Sequence, residues 1–204
     1  MAGKKEVVNG WGWTDELLSW NWNGYEGQPM RVNVYSRSPK VRLYLNDKLI
    51  GEKETGKEDY TATFEVPYTS GVLKAVNIDK KKETASTTLR TAGKPSAIRL
   101  IADRSKIKAD KNDLSYVKVE IVDKDGNLVP DTDLQISIKC SGEGSVIASG
   151  NGGYDDMKSF RSLTPNTFRG KAIAIVQPND RAGKIEVTVS AQGLESSTIR
   201  VDTY

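Results

Sequence analysis

Apolar residues recur at every second position in short bursts along most of the chain, and this alternation constrains the fold more than any other feature. A period of two places apolar side chains on one face of a strand and is typical of half-buried β-strands. Turn-forming pairs such as Asn46-Asp47, Asp125-Gly126 and Gly152-Gly153 separate the bursts. Because helical spacing is nowhere sustained, the sequence predicts an all-β protein. The alternating positions are Val32 and Val34; Val41, Leu43 and Leu45; Ala62, Phe64 and Val66; Ile98 and Leu100; Val117, Val119 and Ile121; Leu134, Ile136 and Ile138; Ile185, Val187 and Val189; Ile199 and Val201.

The spacing of these strand signals favours β-sandwiches over a parallel α/β sheet, because they recur roughly every 8–12 residues without intervening helices. A chain of 204 residues accommodates two sandwiches of ordinary size. The clearest break is the segment 91–96, where Gly93 and Pro95 separate two strand signals. All four tryptophans lie well before it, the last of them being Trp22. We therefore predict two β-sandwich domains, over residues 1–92 and 93–204.

The chain lacks residue types on which several common kinds of active site depend. The chain contains no histidine, and therefore lacks the usual general base, the Ser-His and Cys-His pairs and the commonest zinc ligand. Its single cysteine, Cys140, excludes an intramolecular disulfide. Cys140 is in phase with Ile136 and Ile138, which predicts the role of a small buried apolar residue.

The charges do not indicate a nucleic-acid partner. The 30 basic and 27 acidic residues give a net charge of +3 and are interspersed, whereas nucleic-acid-binding proteins gather Lys and Arg into a patch. The densest basic run, residues 80–82, is followed by Glu83 and is predicted to form a solvated hairpin turn. No apolar run approaches the roughly 18 residues of a membrane span. The first eight residues also lack the apolar stretch of a secretory signal.

Trp20 and Trp22 form the one candidate binding feature of the chain. In an extended strand their indoles would project from the same face and could form a platform for a sugar ring, with Asn21 or Asn23 supplying polar contacts. Alternatively, one or both indoles fill the sandwich core or pack against a neighbouring domain. We favour this alternative because a large aromatic side chain contributes mainly buried area. An earlier tryptophan pair has the same spacing and leaves the same choice open.

Two acidic segments resemble sites but are better explained as turns and loops. The run 123–127 (DKDGN) is similar to the start of a calcium loop, but Leu134 occupies the position of the bidentate glutamate, so we predict a hairpin turn. Glycosidases need two carboxylates held across a cleft, roughly 5–10 Å apart. The adjacent Asp155 and Asp156 are instead predicted to lie on a surface loop. The sequence therefore predicts no catalytic residue, no metal site and no cofactor site.

The first half contains several distinctive strings in a fixed order: 20–27 (WNWNGYEG), 32–36 (VNVYS), 41–51 (VRLYLNDKLIG), 64–68 (FEVPY) and 71–76 (GVLKAV). Together they resemble the domain that follows the catalytic barrel in bacterial family 2 glycoside hydrolases of the β-galactosidase type. The family pattern has His, Glu and Gly where this chain has Ser19, Arg42 and Asp47. Because of the first departure, no site role is assigned to Ser19.

The second half is similar to the C-terminal module of the same family, which resembles invasin-type immunoglobulin-like repeats. The strings are 91–95 (TAGKP), 98–104 (IRLIADR), 113–127 (DLSYVKVEIVDKDGN), 142–147 (GEGSVI), 151–152 (NG) and 168–172 (FRGKA). The resemblance implies that the two predicted sandwiches are tandem immunoglobulin-like domains.

The resemblance implies an accessory, structural role in carbohydrate degradation. The catalytic carboxylates of such enzymes lie on an upstream barrel, so that barrel of the same polypeptide is the expected partner and no catalytic residue is carried over. The parent protein would act on β-galactosides or related glycosides in the periplasm or outside the cell. Two alternatives remain: a carbohydrate-binding module that uses Trp20 and Trp22 to hold a polysaccharide or other glycan, and an adhesin-type stalk, since a fold alone does not define a function.

Overall fold

The computed structural model describes residues 16–204, and in that range the secondary structure consists only of strands and turns. The chain divides into two compact units, Met1–Thr91 and Ala92–Tyr204. Each unit contains two sheets packed around a core of its own. The prediction of an all-β chain with tandem immunoglobulin-like sandwiches is confirmed.

The described part of the first unit combines a four-stranded sheet with a two-stranded one. Its strands are β1 (Pro29–Tyr35), β2 (Lys40–Leu45), β3 (Lys48–Glu54), β4 (Thr61–Pro67), β5 (Val72–Asp79) and β6 (Lys82–Arg90). The larger sheet has the order β3-β2-β5-β6, and β1 pairs antiparallel with β4 in the smaller sheet. Ala62, Phe64 and Val66 of β4 are buried, as their alternation predicts. Trp20 and Tyr68, which lie outside the strands, complete the core between the sheets.

Two tight turns of this unit follow directly from the sequence. Asn46 and Asp47 connect β2 to β3 and both have positive φ, as a type I′ hairpin turn requires. Asn and Asp tolerate this left-handed conformation better than most residues do. Lys80 and Lys81 adopt the same conformation between β5 and β6 and are exposed, so the predicted solvated turn is confirmed.

The second unit has two four-stranded sheets. Its strands are β7 (Ala97–Ala102), β8 (Lys106–Ile107), β9 (Ser115–Val122), β10 (Ile136–Gly142), β11 (Gly144–Gly150), β12 (Lys171–Pro178), β13 (Gly183–Ala191) and β14 (Leu194–Thr203). The sheet orders are β11-β12-β9-β7 and β10-β13-β14-β8, and only the short β8 pairs in parallel, with β14. The chain crosses between the sheets at Gly142, whose φ is +92°. A side chain there would collide with the Lys184 carbonyl, so glycine is required.

The core of the second unit is aliphatic and rich in β-branched residues. Val117, Val119 and Ile121 of β9 are completely buried and alternate with more exposed neighbours. Such residues pack well on the inner face of a pleated sheet. Cys140 packs against this core but is only half-buried, so the structure confirms its predicted burial only in part. Desolvation raises the pKa of its thiol.

Candidate functional site

The predicted sugar-binding segment does not form a strand. The chain makes turns at residues 23–24 and 26–27 before β1 begins at Pro29, and Gly24 has a φ of +85°. The Tyr25 amide donates to the Trp22 carbonyl at 3.0 Å and closes the first of these turns. Side chains two residues apart share a face only where the backbone is extended. Because Trp20 and Trp22 lie outside the strands, their spacing alone does not establish a shared indole face.

Trp20 is part of the core. Only 2% of its surface is exposed, and its ring meets that of Tyr68 edge-on, with 5.2 Å between ring centroids. The indole Nε1 donates to the Thr69 carbonyl at 3.0 Å, and the Thr91 hydroxyl donates to the Trp20 carbonyl at 2.6 Å. Trp20 thus joins its own segment to residues far along the chain. For this residue, the interpretation as a core-filling indole is confirmed.

The other three predicted contact residues have different environments. Trp22 is half-buried at the margin of the same core and meets Tyr25 edge-on, with 6.4 Å between ring centroids. Asn21 is buried, and its amide donates to the Ser19 hydroxyl at 3.1 Å. Asn23 is exposed. The four residues therefore do not converge on one surface, and sugar contact by this segment stays a prediction. The earlier pair, Trp11 and Trp13, lies outside the described residues.

Asp123 anchors the turn that resembles a calcium loop. Its carboxylate is 4% exposed, and Oδ1 accepts hydrogen bonds from the amides of Asp125 and Asn127. Oδ2 accepts from the Gly93 amide at 2.8 Å and from the Asn127 side chain at 3.1 Å. Burial alone would raise the pKa of Asp123, but these four hydrogen bonds outweigh it and lower the pKa to about 2. The predicted hairpin turn is confirmed, and both carboxylate oxygens are used within the protein.

The other carboxyls with perturbed pKa values are stabilised in their charged form. Arg42 donates to Glu52 at 2.8 Å, and this hydrogen bond lowers the pKa of Glu52. Hydrogen bonds from backbone amides, or for Asp180 from a lysine, lower the pKa of Asp110, Asp113 and Asp180. A general acid for glycoside cleavage needs the opposite shift, a pKa raised toward neutrality. These carboxyls are suited to fixing loops and strands rather than to donating a proton.

The loop between β11 and β12 was predicted only as an acidic surface loop, and its structure is more specific. Asp156 lies partly inside the loop, where Oδ2 accepts from Asn151 at 2.7 Å and Oδ1 accepts from the Lys158 amide at 2.9 Å. Tyr154, Met157 and Phe160 face solvent from the same loop. The alternation that predicts strands does not include these apolar residues, because they are three residues apart rather than two.

The described residues contain neither a membrane-spanning helix nor a cluster of metal-ligating side chains. Among residues 16–204, no helix has the length and apolar character that crossing a bilayer requires. Over the same range, His, Cys, Asp and Glu side chains form no group of three or more that could hold a metal ion.

Each unit matches a known protein family. Residues 98–200 match the glycoside hydrolase family 2 C-terminal domain 5. Residues 27–85 match a domain of unknown function, DUF4982.

The chain is similar to segments of much longer enzymes. It is 31% identical over 195 residues to the β-galactosidase BoGH2A of Bacteroides ovatus, an alignment that covers 93% of this chain and 23% of that enzyme. It is 30% identical over 151 residues to a β-glucuronidase of Formosa agariphila, covering 72% of this chain and 15% of the enzyme. The chain thus spans less than a quarter of the length of these curated relatives.

Solved structures contain the same fold. A glycosyl hydrolase family 2 member from Bacteroides cellulosilyticus is 36% identical with a TM-score of 0.85, over 90% of this chain and 25% of that one. A β-glycosidase from Bacteroides vulgatus is 26% identical with a TM-score of 0.86, over 91% of this chain and 24% of that one. In both proteins the similar region is about a quarter of the chain.

Proposed function

Because the chain belongs to glycoside hydrolase family 2, whose C-terminal domain 5 it contains, we propose that it is a non-catalytic accessory region of a β-galactosidase-type glycosidase. In this proposal, glycoside cleavage is carried out by a catalytic domain elsewhere in a longer polypeptide. The two sandwiches support and extend that domain.

The observation that carries the proposal is the coverage of the match to a β-galactosidase. The alignment includes 93% of this chain, and therefore both units, yet it occupies only 23% of the relative. A region similar to both units thus occurs within an enzyme roughly four times longer. A match to glycosidases across both units also favours this role over that of an adhesin-type stalk.

The carboxyls of the described residues support a structural role. A retaining glycosidase needs a nucleophilic carboxylate and a second carboxyl about 5 Å away whose raised pKa suits it to donate a proton. Asp123 and Asp156 instead accept hydrogen bonds from their own loops, and Glu52 pairs with Arg42. A carboxyl held in this way stabilises a turn or a strand pair.

An assay of two proteins tests the proposal. The 204-residue chain and the polypeptide of the complete reading frame would each be incubated with 4-nitrophenyl β-galactoside and 4-nitrophenyl β-glucuronide. We expect the complete polypeptide to release nitrophenolate and the chain alone to match the blank. Release by the purified chain alone would contradict the proposal, as would a complete polypeptide that cleaves neither compound.

A further inference from the structure

The loop between β11 and β12, residues 151–170, exposes large apolar side chains to an unusual degree. Met157 is 94% exposed, Tyr154 92% and Phe160 74%. Among the large apolar residues that the structure describes, only Leu18 has comparable exposure. Isolated apolar residues are common on protein surfaces, whereas three highly exposed ones within seven residues of one loop favour an interaction site. We refer to residues 151–170 as the apolar loop.

Some polar side chains of the apolar loop bond within the loop, while Asp155 and Arg161 remain exposed beside the apolar residues. Asn151 donates to Asp156 at 2.7 Å and to the Asn166 carbonyl at 3.1 Å. Lys158 donates from Nζ to the Thr164 carbonyl at 2.9 Å and to the Asn166 side chain at 3.0 Å. These hydrogen bonds hold the two sides of the loop together and leave the apolar side chains outside.

The two exposed aromatic side chains of the apolar loop each lie against another part of the unit. Phe160 packs over Gly150, where an added Cβ would lie 3.2 Å from the ring. Tyr154 meets Phe168 edge-on, with 6.4 Å between ring centroids, and Phe168 also borders Gly153. Met157 lies between Tyr154 and Phe160 in the chain.

Backbone hydrogen bonds fix the apolar loop to both sheets of the unit. The Ser149 amide at the end of β11 donates to the Phe160 carbonyl at 2.7 Å. The Ile138 amide of β10 donates to the Leu163 carbonyl at 2.8 Å, and the Ile136 amide to the Pro165 carbonyl at 3.0 Å. The backbone of a loop held in this way is already ordered before a partner binds. Binding then costs little backbone conformational entropy, which favours a stable interface.

We propose that the apolar loop is the surface through which the second unit docks onto the catalytic part of the same polypeptide, an inference that rests on the proposed function. Tyr, Phe and Met are enriched in protein interfaces. Three quarters or more of each relative's length lies outside the region similar to this chain, so a large protein surface is available as the partner.

Oxidation of Met157 tests the docking directly. The isolated 204-residue chain and the complete polypeptide would be treated with hydrogen peroxide, and the sulfoxide at Met157 would be followed by mass spectrometry. Because oxidation follows exposure, we expect it to be about tenfold slower in the complete polypeptide. Equal rates in the two proteins would overturn the proposal.

A substitution identifies the loop as the cause of the protection. Phe160→Lys in the complete polypeptide should restore the rate of Met157 oxidation seen in the isolated chain. The matched control Leu49→Lys also replaces an exposed apolar residue, on β3 of the first unit, and should leave Met157 protected. Circular dichroism would check that both variants fold. Protection that survives Phe160→Lys would count against docking through this loop.

If a second copy of the chain or a glycan occupied the loop instead, Met157 would be protected from oxidation under different conditions. Met157 protection that develops in the isolated chain as its concentration rises would identify a second copy as the partner, and protection by added galactan would identify a glycan. Either result overturns the proposal. Hydrolysis of the nitrophenyl glycosides by the same preparations distinguishes failure of the proposed function from failure of the docking. A complete polypeptide without activity refutes the proposed function. An active complete polypeptide in which Met157 is exposed refutes only the docking.

Discussion

Two aromatic segments of this chain have opposite orientations. The segment around Trp20, in the first unit, turns its large indole into the core. The apolar loop, in the second unit, turns Tyr154 and Phe160 into solvent. Both segments lie outside the strands and both are closed by hydrogen bonds between residues far apart in sequence.

The difference lies in which side chains fix each segment. In the first unit a buried aromatic does so, since Trp20 contacts Tyr68 and bonds Thr69. In the second unit polar side chains fix the backbone: the half-buried Asn151 does so in the apolar loop, and the buried Asp123 in the turn after β9. A loop fixed by internal polar bonds is free to expose its aromatic residues, whereas a segment fixed by its aromatic residue is not. Aromatic residues therefore indicate a ligand site only where something else stabilises the backbone.

The largest effect is expected for Trp20→Ala. Removing a buried indole leaves a cavity and an unpaired Thr69 carbonyl, which should lower the free energy of unfolding by about 3–5 kcal/mol. Urea unfolding followed by the fluorescence of the remaining tryptophans measures the loss. Trp22→Ala is the control, and its half-buried indole should cost clearly less. Equal losses would show that Trp20 has no special role in the core.

Replacing Asp123, which fixes a turn of the second unit, should lower the free energy of unfolding by an amount that depends on pH. Because the pKa of Asp123 is about 2 in the folded protein and 3.8 ordinarily, its contribution is complete above about pH 4 and disappears as the pH falls toward 2. Asp123→Asn should therefore cost about 2 kcal/mol at pH 7 and progressively less below pH 4. Thermal unfolding followed by circular dichroism across this range checks it. A loss that stays constant from pH 7 to pH 2 would contradict the assignment.

The alternation of apolar residues predicted the strands well because it is a local property. Ala62, Phe64 and Val66 are spaced for one face of a strand, and β4 buries all three. The Asn46-Asp47 turn was equally predictable, because those two residue types favour the left-handed backbone of a hairpin.

The candidate site was less predictable because it depends on distant partners. The spacing of Trp20 and Trp22 predicts a shared face only for an extended strand, and both residues lie outside the strands. In the apolar loop, Asn151 bonds the carbonyl of Asn166, fifteen residues away. No local pattern connects those two residues.

Replacing Tyr68, the aromatic neighbour of Trp20, should have a smaller effect on stability and in the opposite direction. The Tyr68 hydroxyl is buried and has no hydrogen-bond partner within residues 16–204. An unsatisfied buried hydroxyl costs free energy, so Tyr68→Phe should leave stability unchanged or raise it by up to about 1 kcal/mol. The urea midpoint measures the change. A loss of more than about 1 kcal/mol would mean that a bound water or another group bonds the hydroxyl.

The smallest effect is expected on the apolar loop. Because Tyr154 and Met157 are almost fully exposed, replacing both by serine should change the free energy of unfolding by no more than about 0.5 kcal/mol. Urea unfolding followed by circular dichroism measures it. A larger loss would mean that these side chains stabilise the unit itself.

Hydroxyl-radical footprinting of the folded chain tests the inward and outward orientations most directly. Modification at Trp20, Tyr154 and Met157 would be quantified by mass spectrometry and normalised to the intrinsic reactivity of each residue type. The structure predicts that Tyr154 and Met157 are modified at least about tenfold faster than Trp20, because reactivity follows exposure. Normalised rates that are equal, or fastest at Trp20, would contradict the account.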